Sequence, residues 1–227
     1  MILRKYSEEE LTQLKKYVSC DALMLLVCDA IAGEKPLSIV RFSDGERAIM
    51  RFAKGGNPTH YLNESKWLTE YGLMLADLKV IGSDLFKASE EADIICPNIS
   101  GFNNPNFGVL DIIKPRQIYA EAYFGYVWKS SGRLKDLLDE KIPIGIVTRN
   151  AEAVAQRLRS STGHESFETA MYSSWEDSDR VIDEIGKMKS RLIFCAGGAS
   201  IKYLCVKAAR LHKKVVIDAG SALTNIW

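Results

Sequence analysis

Histidine is scarce in this chain of 227 residues, and its three copies, His60, His164 and His212, show no metal-binding spacing. The five cysteines are scattered, odd in number and without a C-x-x-C pair, which argues against a disulfide framework and a structural zinc site. No G-x-S-x-G motif supplies a serine nucleophile on a strand-to-helix turn. These absences leave carboxylates and glycine turns as the candidate places for chemistry.

A large net charge and a long apolar run are also absent. The formal net charge of +1 gives no global field that would attract nucleic acid or acidic membranes. Residues 1–10 lack the apolar core of a signal peptide, and the apolar block at 22–28 is too short to span a bilayer. Most of the cysteines resemble small buried apolar residues, which suggests a reducing compartment. We therefore expect a cytoplasmic protein without a transmembrane segment, while a peripheral membrane role stays open.

The composition, with 47% apolar and 26% charged residues, is that of a globular protein that buries a sizeable core. No repeat, low-complexity segment or linker divides the chain, so we predict one domain over residues 1–227. Its first 34 residues form a helical segment packed on that domain. A capping box at residues 7–10 begins one helix, Ser19 or Asp21 begins a second, and Gly33 and Pro36 stop it.

Strands and helices alternate along the rest of the chain. The strand signals lie at 37–42, 93–96, 142–148, 191–196 and 214–218, and the helical signals at 46–52, 65–76, 83–88, 116–140 with a break at 131–132, 151–159, 175–188 and 199–212. The final strand–turn–helix–strand unit is typical of a parallel βαβ crossover. The pattern predicts an α/β fold with a mainly parallel sheet flanked by helices.

Residues 98–108 are rich in asparagine and glycine and carry no periodic pattern. Long segments of this kind inside a domain are often binding loops or lids. A plain connector explains the composition equally well, so both interpretations stay open.

The segment around Asp44-Gly45-Glu46 is the first candidate site. It follows a short apolar strand, and two carboxylates two residues apart on a turn can converge on Mg²⁺ or Mn²⁺. Arg41 could form a fork to a phosphate or to one of the acids. A polar turn in which Asp44 caps the next helix and Arg41 pairs with Glu46 explains the spacing better, since D-x-E triplets are frequent by chance.

A glycine pair between a strand and a helix, Gly197-Gly198, is the second candidate. Backbone N–H groups there could approach a phosphate at the positive end of the helix that contains Ser200 and Lys202. An anion would also compensate for a lysine in the first helical turn. A tight turn that needs glycine for its shape is the alternative, and the motif is neither a Walker A loop nor a full G-x-G-x-x-G fingerprint.

Two further polar positions follow strands at the expected ligand edge of the sheet. Asp218, followed by Gly220, could hold a ribose, a metal-bound water or a basic side chain, or it could simply cap the next turn. Arg149 could bind phosphate, although surface pairing is the simpler role.

Residues 40–46 (V-R-F-S-D-G-E) resemble the R-F-G-D-G-E signature of the GT-D-type glycosyltransferases, and residues 193–220 resemble their C-terminal block. The resemblance implies a single Rossmann-like domain that binds a nucleotide-sugar, typically a UDP-sugar, with Mn²⁺ or Mg²⁺. The acids of the family's D-x-E motif carry over to Asp44 and Glu46. The chain departs from the family at Ser43, where glycine is usual, and at Ser221, where histidine is expected.

The hypothesis that combines these signals is a metal-dependent glycosyltransferase acting on a glycan, glycoprotein or small-molecule acceptor. Asp44 and Glu46 would hold the cation, and Arg41 would orient Glu46 or the diphosphate. The donor would contact Arg41, Gly197, Gly198, Ser200, Lys202, Asp218 and Gly220. Two alternatives stay open: a metal-dependent nucleotide or sugar-phosphate phosphohydrolase, and a non-catalytic nucleotide-binding module.

Overall fold

The computed structural model describes residues 16–56, 75–98, 112–114 and 118–225. The capping box at 7–10, most of the helix predicted at 65–76 and almost all of the 98–108 segment lie outside these ranges. Within them, no helix combines the length and apolar character needed to cross a membrane.

The described residues form a six-stranded sheet in which every pair of neighbouring strands is parallel. Its strand order is β2-β1-β6-β5-β3-β4. The strands are β1 (Leu37–Phe42), β2 (Ile94–Pro97), β3 (Ile144–Thr148), β4 (Phe167–Met171), β5 (Leu192–Cys195) and β6 (Val215–Asp218). This arrangement confirms the predicted α/β fold with a parallel sheet, and it brings the carboxyl ends of all six strands to one edge.

Helices connect these strands. They are α1 (Cys20–Ala32), α2 (Asp44–Ala53), α3 (Leu75–Glu91), α4 (Phe124–Ser130), α5 (Arg133–Asp139), α6 (Ala151–Thr162), α7 (Ser178–Lys187), α8 (Ile201–His212) and α9 (Ser221–Asn225). Short 3₁₀ turns at Trp175–Asp177 and Gly198–Ser200 lead into α7 and α8. Ser19 begins α1, as one of the two predicted starts, because its hydroxyl accepts a hydrogen bond from Ala22 N at 3.1 Å.

The sheet is buried on both faces, because successive side chains of a strand point to opposite sides. In β1, Val40 and Phe42 pack into one apolar cluster with α2, α3, α7 and α8. Ile39 packs into the other cluster, which contains residues of α1, α4, α5 and α6. Helices on both sides of a parallel sheet are the doubly wound form of the Rossmann-like architecture.

The sequence prediction missed β4, which is one of the two edge strands of the sheet. Its residues are less buried than those of the central strands, and the apolar signal in F-E-T-A-M is correspondingly weak. Two helical predictions were also inexact. The signal at 83–88 belongs to the longer α3, and the 116–140 region holds two short helices separated at the predicted break, after a non-helical stretch at 118–123.

Glu168 on β4 fastens this edge strand to the turn before β5. Its carboxylate accepts hydrogen bonds from Lys189 N at 3.0 Å, from Ser190 N at 2.6 Å and from the Ser190 hydroxyl. Partial burial raises the pKa of Glu168, but these hydrogen bonds outweigh it and leave the pKa below its ordinary value of 4.5. The carboxylate therefore stabilises the fold above that ordinary pKa, and the contribution is lost as the pH falls through the folded-state pKa.

We expect Glu168→Gln to lower the free energy of unfolding near neutral pH, because an amide has one acceptor oxygen where the carboxylate has two. The difference from the wild type should shrink as the pH falls from about 7 toward about 3, because the wild-type carboxyl is progressively protonated. Urea unfolding followed by circular dichroism at both pH values measures it. A difference that stays constant with pH would contradict this role for the Glu168 charge.

Candidate functional site

A cavity of about 630 Å³ lies at the carboxyl edge of the sheet, where α/β proteins bind their ligands. Every one of the six strands is followed by residues that line it, so the sheet topology itself assembles the site. The polar side chains around it include Arg41, Asp44, Asn98, Arg149, Arg157 and Tyr172.

The turn after β1 is shaped by a capping box between Ser43 and Glu46. The Glu46 Oε2 atom accepts hydrogen bonds from Ser43 N at 2.9 Å and from the Ser43 hydroxyl at 2.6 Å. These bonds end the strand and begin α2. Ser43 is thus the N-cap of α2, rather than Asp44 as the polar-turn interpretation supposed. The same geometry leaves Asp44 in the first turn of the helix, on the cavity wall.

Lys202, in the first turn of α8, contacts three parts of the site. Its Nζ atom lies 2.9 Å from Glu46 Oε1, 3.0 Å from Asp218 Oδ2 and 2.8 Å from the Gly198 carbonyl oxygen. An ammonium group has three N–H donors, so these three acceptors use all of them. Lys202 lines the cavity, but in this arrangement it has no donor left for a phosphate. The predicted phosphate contact of Lys202 is therefore replaced by an internal role.

The two charged partners stabilise each other in a buried setting. Burial alone raises the pKa of the Glu46 carboxyl, but Lys202 and the Ser43 hydrogen bonds outweigh it and lower the pKa to about 2. Burial alone lowers the pKa of Lys202, yet Asp218 and Glu46 raise it well above its ordinary range. Both groups are therefore charged at neutral pH, and each is the counter-ion that offsets the desolvation cost of burying the other.

Asp218 does not line the cavity, and of the roles considered for it the structure shows the contact with a basic side chain, Lys202, and the cap of the next turn. Its contact with a ribose or an acceptor stays a prediction. Asp218 is fully buried, and its Oδ1 atom accepts a hydrogen bond from Gly220 N at 3.1 Å. Its Oδ2 atom accepts from Lys202 Nζ and from Arg41 N, the latter at 3.3 Å. Asp218 thus connects the ends of β1 and β6 with α8.

Arg41 lines the cavity, but it does not pair with Glu46 as one prediction proposed. Its Nη1 atom donates a hydrogen bond to the Ala219 carbonyl oxygen at 3.1 Å. Its buried Nε atom has no hydrogen-bond partner among the described residues. No described residue accepts a hydrogen bond from the Arg41 Nη2 atom, so the guanidinium group keeps donor capacity beside the cavity, as the diphosphate contact predicted for it requires.

Gly220 makes room for that guanidinium group. Its φ of +54° lies in the left-handed region, and a Cβ atom there would stand 1.8 Å from Arg41 Nη1. Because Gly220 lines the cavity itself, glycine at this position serves both the backbone turn and the placement of Arg41.

We expect Gly220→Ala to destabilise the fold by about 1–3 kcal/mol and to move the Arg41 side chain from Ala219. Gly163→Ala is a matched control, since Gly163 has a φ of +70° with open space around its Cβ position. Both variants carry backbone strain, but only Gly220→Ala should also weaken anion binding in the cavity. Urea unfolding and a titration with UDP measure the two effects. Equal UDP affinity in both variants would contradict the role assigned to Gly220.

The turn between β5 and α8 brings backbone to the cavity, as the glycine pair predicted. Gly198 has a φ of +66°, and a Cβ atom on Gly197 would lie 2.5 Å from the ring of Tyr172. The Tyr172 hydroxyl donates a hydrogen bond to the Ser200 hydroxyl at 2.7 Å. Ser200 does not line the main cavity and instead borders a second one.

Two cavity arginines lie on one side of the site. Arg149, which the sequence prediction considered for phosphate binding, follows β3 and is exposed. Arg157, which it missed, donates hydrogen bonds to the Leu223 and Thr224 carbonyl oxygens at 3.0 and 2.8 Å. Asn150, Ala153, Val154 and Arg157 all line the cavity, and their spacing of three to four residues was the available signal for a helical face.

Ser221 stands where the family is expected to carry histidine. It lies on the cavity wall, and its hydroxyl is 2.8 Å from that of Tyr126. This residue offers a hydroxyl group and no imidazole for contact with a ligand.

Asp44 and Glu46 differ in how available their carboxylates are to the predicted cation. No group of three or more histidine, cysteine or acidic side chains forms a metal cage within the described ranges. Both oxygens of Glu46 already have partners, whereas no described residue forms a hydrogen bond or ion pair with the Asp44 carboxylate. One carboxylate with substrate phosphates is a common ligand set for Mg²⁺, and Mn²⁺ takes the same oxygen ligands. Asp44 can supply the carboxylate of that ligand set. Glu46 can do so only if its ion pair with Lys202 is broken.

Comparisons with known proteins agree with this architecture. A family model described as a GT-D fold-like domain matches residues 18–226. A solved structure described as "the highly conserved domain of unknown function 1792", with "a distinct glycosyltransferase fold", superposes with a TM-score of 0.56 at 15% identity, over 93% of this chain and 82% of that chain. A selenomethionine-substituted structure of the same kind of domain superposes with a TM-score of 0.55 at 17% identity, over 94% and 82%. No curated protein matches.

The structural neighbours show the fold, and the family match covers both motif regions that carried the resemblance. Together they confirm the predicted family and the Rossmann-like fold, and they support the glycosyltransferase class that the resemblance implied.

Proposed function

The chain belongs to the family of GT-D fold-like domains, and from that premise we propose that it transfers a sugar from a nucleotide-sugar, in particular a UDP-sugar, to an acceptor with the help of Mn²⁺ or Mg²⁺. The observation that carries this proposal is the cavity at the carboxyl edge of the sheet. It combines one carboxylate without a described partner with arginines and a glycine turn, and its 630 Å³ is in the usual range for small-molecule ligands.

The diphosphate of the donor has a suitable binding surface between Arg41, Arg149 and the Gly197-Gly198 turn. Guanidinium groups donate in a planar fork that matches phosphate oxygens. The glycine pair lets backbone N–H groups approach closely, and the turn leads into α8, whose N-terminal end favours negative charge. Lys202 assists indirectly, because it holds the Gly198 carbonyl and so fixes the turn.

Asp44 is the residue that would hold the cation, together with oxygens of the diphosphate. A bound Mn²⁺ or Mg²⁺ would neutralise the charge that develops on the diphosphate as the sugar departs. Glu46 would act indirectly, as a positioning residue. Its ion pair with Lys202 and the hydrogen bonds it accepts from Ser43 fix the first turn of α2, where Asp44 lies on the cavity wall. Arg41, on the same cavity wall, would orient the diphosphate.

Sugar transfer and phosphate hydrolysis make different products, so one assay separates them. The protein would be incubated with a set of UDP-sugars and Mn²⁺, with and without candidate acceptors, and UDP and inorganic phosphate would be measured separately. We expect slow UDP release that accelerates when a suitable acceptor is present and that stops with EDTA. Release of inorganic phosphate without loss of the sugar would favour the phosphohydrolase alternative. Binding without turnover would favour the non-catalytic module.

A further inference from the structure

A second cavity, of about 250 Å³, lies between α3, the Trp175–Asp177 turn, α7 and α8. It is distinct from the donor cavity described above. Its wall includes Asp84, Trp175, Asp179, Ser200, Tyr203 and Lys207. We refer to it as the Trp175 groove.

Two aromatic residues, Trp175 and Tyr203, form part of this groove. Both are half-buried and pack against the apolar cluster on this side of the sheet. The capping box of Ser174 and Asp177 fixes the turn that carries Trp175, because the Asp177 carboxylate accepts hydrogen bonds from Ser173 N at 2.8 Å and Ser174 N at 3.1 Å. The groove thus has aromatic surface on a stiff support, which suits a ligand with apolar C–H faces.

Two of the three acids on the groove wall are paired with lysines. Asp84 lies 3.1 Å from Lys87 Nζ, and Asp179 lies 2.8 Å from Lys207 Nζ. Lys87 also lies over the Tyr203 ring, 5.2 Å from its centroid. Glu176 is a third, exposed acid of the same wall, so the acids outnumber the one lysine there, Lys207, and the groove disfavours a phosphate. Carboxylates and ammonium groups held in pairs still offer hydrogen bonds to hydroxyl groups.

A hydrogen-bonded pair separates the groove from the donor cavity. Ser200 lines the groove, and its hydroxyl accepts from the Tyr172 hydroxyl, which lines the donor cavity. Burial of the Tyr172 hydroxyl raises its pKa to about 12, so the group stays protonated and keeps donating this bond. The two cavities therefore share one wall, next to the glycine turn.

We propose that the Trp175 groove binds a sugar ring of the acceptor. A pyranose presents C–H faces to aromatic rings and hydroxyl groups to paired charges, and the groove offers both beside the donor cavity. The assignment of this ring to the acceptor rests on the proposed transfer function, whereas binding of a sugar in the groove does not.

Binding of simple sugars by the full chain tests the groove directly. The probes are the methyl glycosides of glucose, galactose, mannose, N-acetylglucosamine and rhamnose, with uridine as a flat, hydroxylated comparison, each observed by saturation-transfer NMR without metal or donor. We expect at least one glycoside to bind in the millimolar range. Trp175→Ala should weaken that binding by about tenfold, because it removes the stacking surface.

Two further variants separate binding from folding. Trp175→Phe keeps an aromatic ring and should retain most of the affinity, and Asp84→Asn keeps both rings but should weaken binding by about tenfold through loss of a charged acceptor. Leu211→Ala, at an exposed position on α8, is the control that should bind as the wild type does. Thermal unfolding confirms that each variant is folded.

The proposal is overturned if no glycoside binds, if binding is unchanged in both Trp175→Ala and Asp84→Asn, or if uridine alone binds. Failure of the proposed function is a separate outcome: UDP would then fail to bind with Mn²⁺ in the donor cavity, while glycoside binding in the groove would be unaffected.

Discussion

Replacing Lys202 by methionine is expected to lower the free energy of unfolding by about 3–5 kcal/mol, because it leaves two buried carboxylates without their shared counter-ion. Glu46 and Asp218 are both buried, and Lys202 contacts both of them at about hydrogen-bonding distance. Methionine keeps a chain of similar length, so the loss comes from the missing ammonium group rather than from a cavity. Urea unfolding of the ligand-free protein measures the change.

Lys135→Met is the matched control for this variant. Lys135 pairs with Asp139 on the surface of α5, where water screens the interaction and replaces it when the partner is lost. Its unfolding midpoint should stay close to that of the wild type. If Lys202→Met were as stable as Lys135→Met, the Lys202 cluster would not be the structural centre of the site.

The second large effect is expected at Asp44. We predict that Asp44→Asn lowers kcat/KM for metal-dependent sugar transfer by at least about a hundredfold, because an amide cannot supply the charge that the proposed cation site needs. The fold should survive, since Asp44 is partly exposed and Ser43, not Asp44, caps α2. Steady-state kinetics with a UDP-sugar and Mn²⁺ measure the loss.

Asp29→Asn, at an exposed acid of α1, is the control and should keep wild-type kinetics. Glu46→Gln makes the comparison sharper, because Glu46 is engaged with Lys202 and Ser43. That variant should lose stability as well as activity, whereas Asp44→Asn should lose activity alone. Activity retained in Asp44→Asn would show that the cation, if used, is held elsewhere.

Much of the fold was predictable because its signals are local. The apolar run of β1, the glycine turn before α8 and the final βαβ unit each have a pattern that short-range sequence carries, and parallel strands then place their carboxyl ends together. The strand β4 was missed because most of its residues are only partly buried, so F-E-T-A-M carries a weak apolar signal.

The candidate site was predictable in location more than in detail. Asp44, Arg41 and the Gly197-Gly198 turn all line the cavity, as expected from their positions after strands. The role of Lys202 and the basic partner of Asp218 were not predictable, because they depend on contacts with β1 and α2, which are far away in the chain. A lysine in a first helical turn suggested a bound anion, and the compensating charges turned out to be the protein's own carboxylates.

The two acids of the D-x-E motif thus have different surroundings. Glu46 belongs to a buried ion cluster that fixes α2, α8 and the end of β6 relative to one another. Asp44 lies on the cavity wall with no described partner. The motif therefore combines a structural acid with an acid that is available to a ligand.

Calorimetric titration of the wild type and Asp44→Asn with UDP, in Mn²⁺ and in EDTA, tests the central claim most directly. We predict that UDP binds the wild type more tightly in Mn²⁺ than in EDTA and that Asp44→Asn abolishes this difference while retaining the weaker, metal-free binding to the arginines and the glycine turn. UDP affinity that is independent of Mn²⁺ in the wild type, or an unchanged Mn²⁺ effect in Asp44→Asn, would contradict the account.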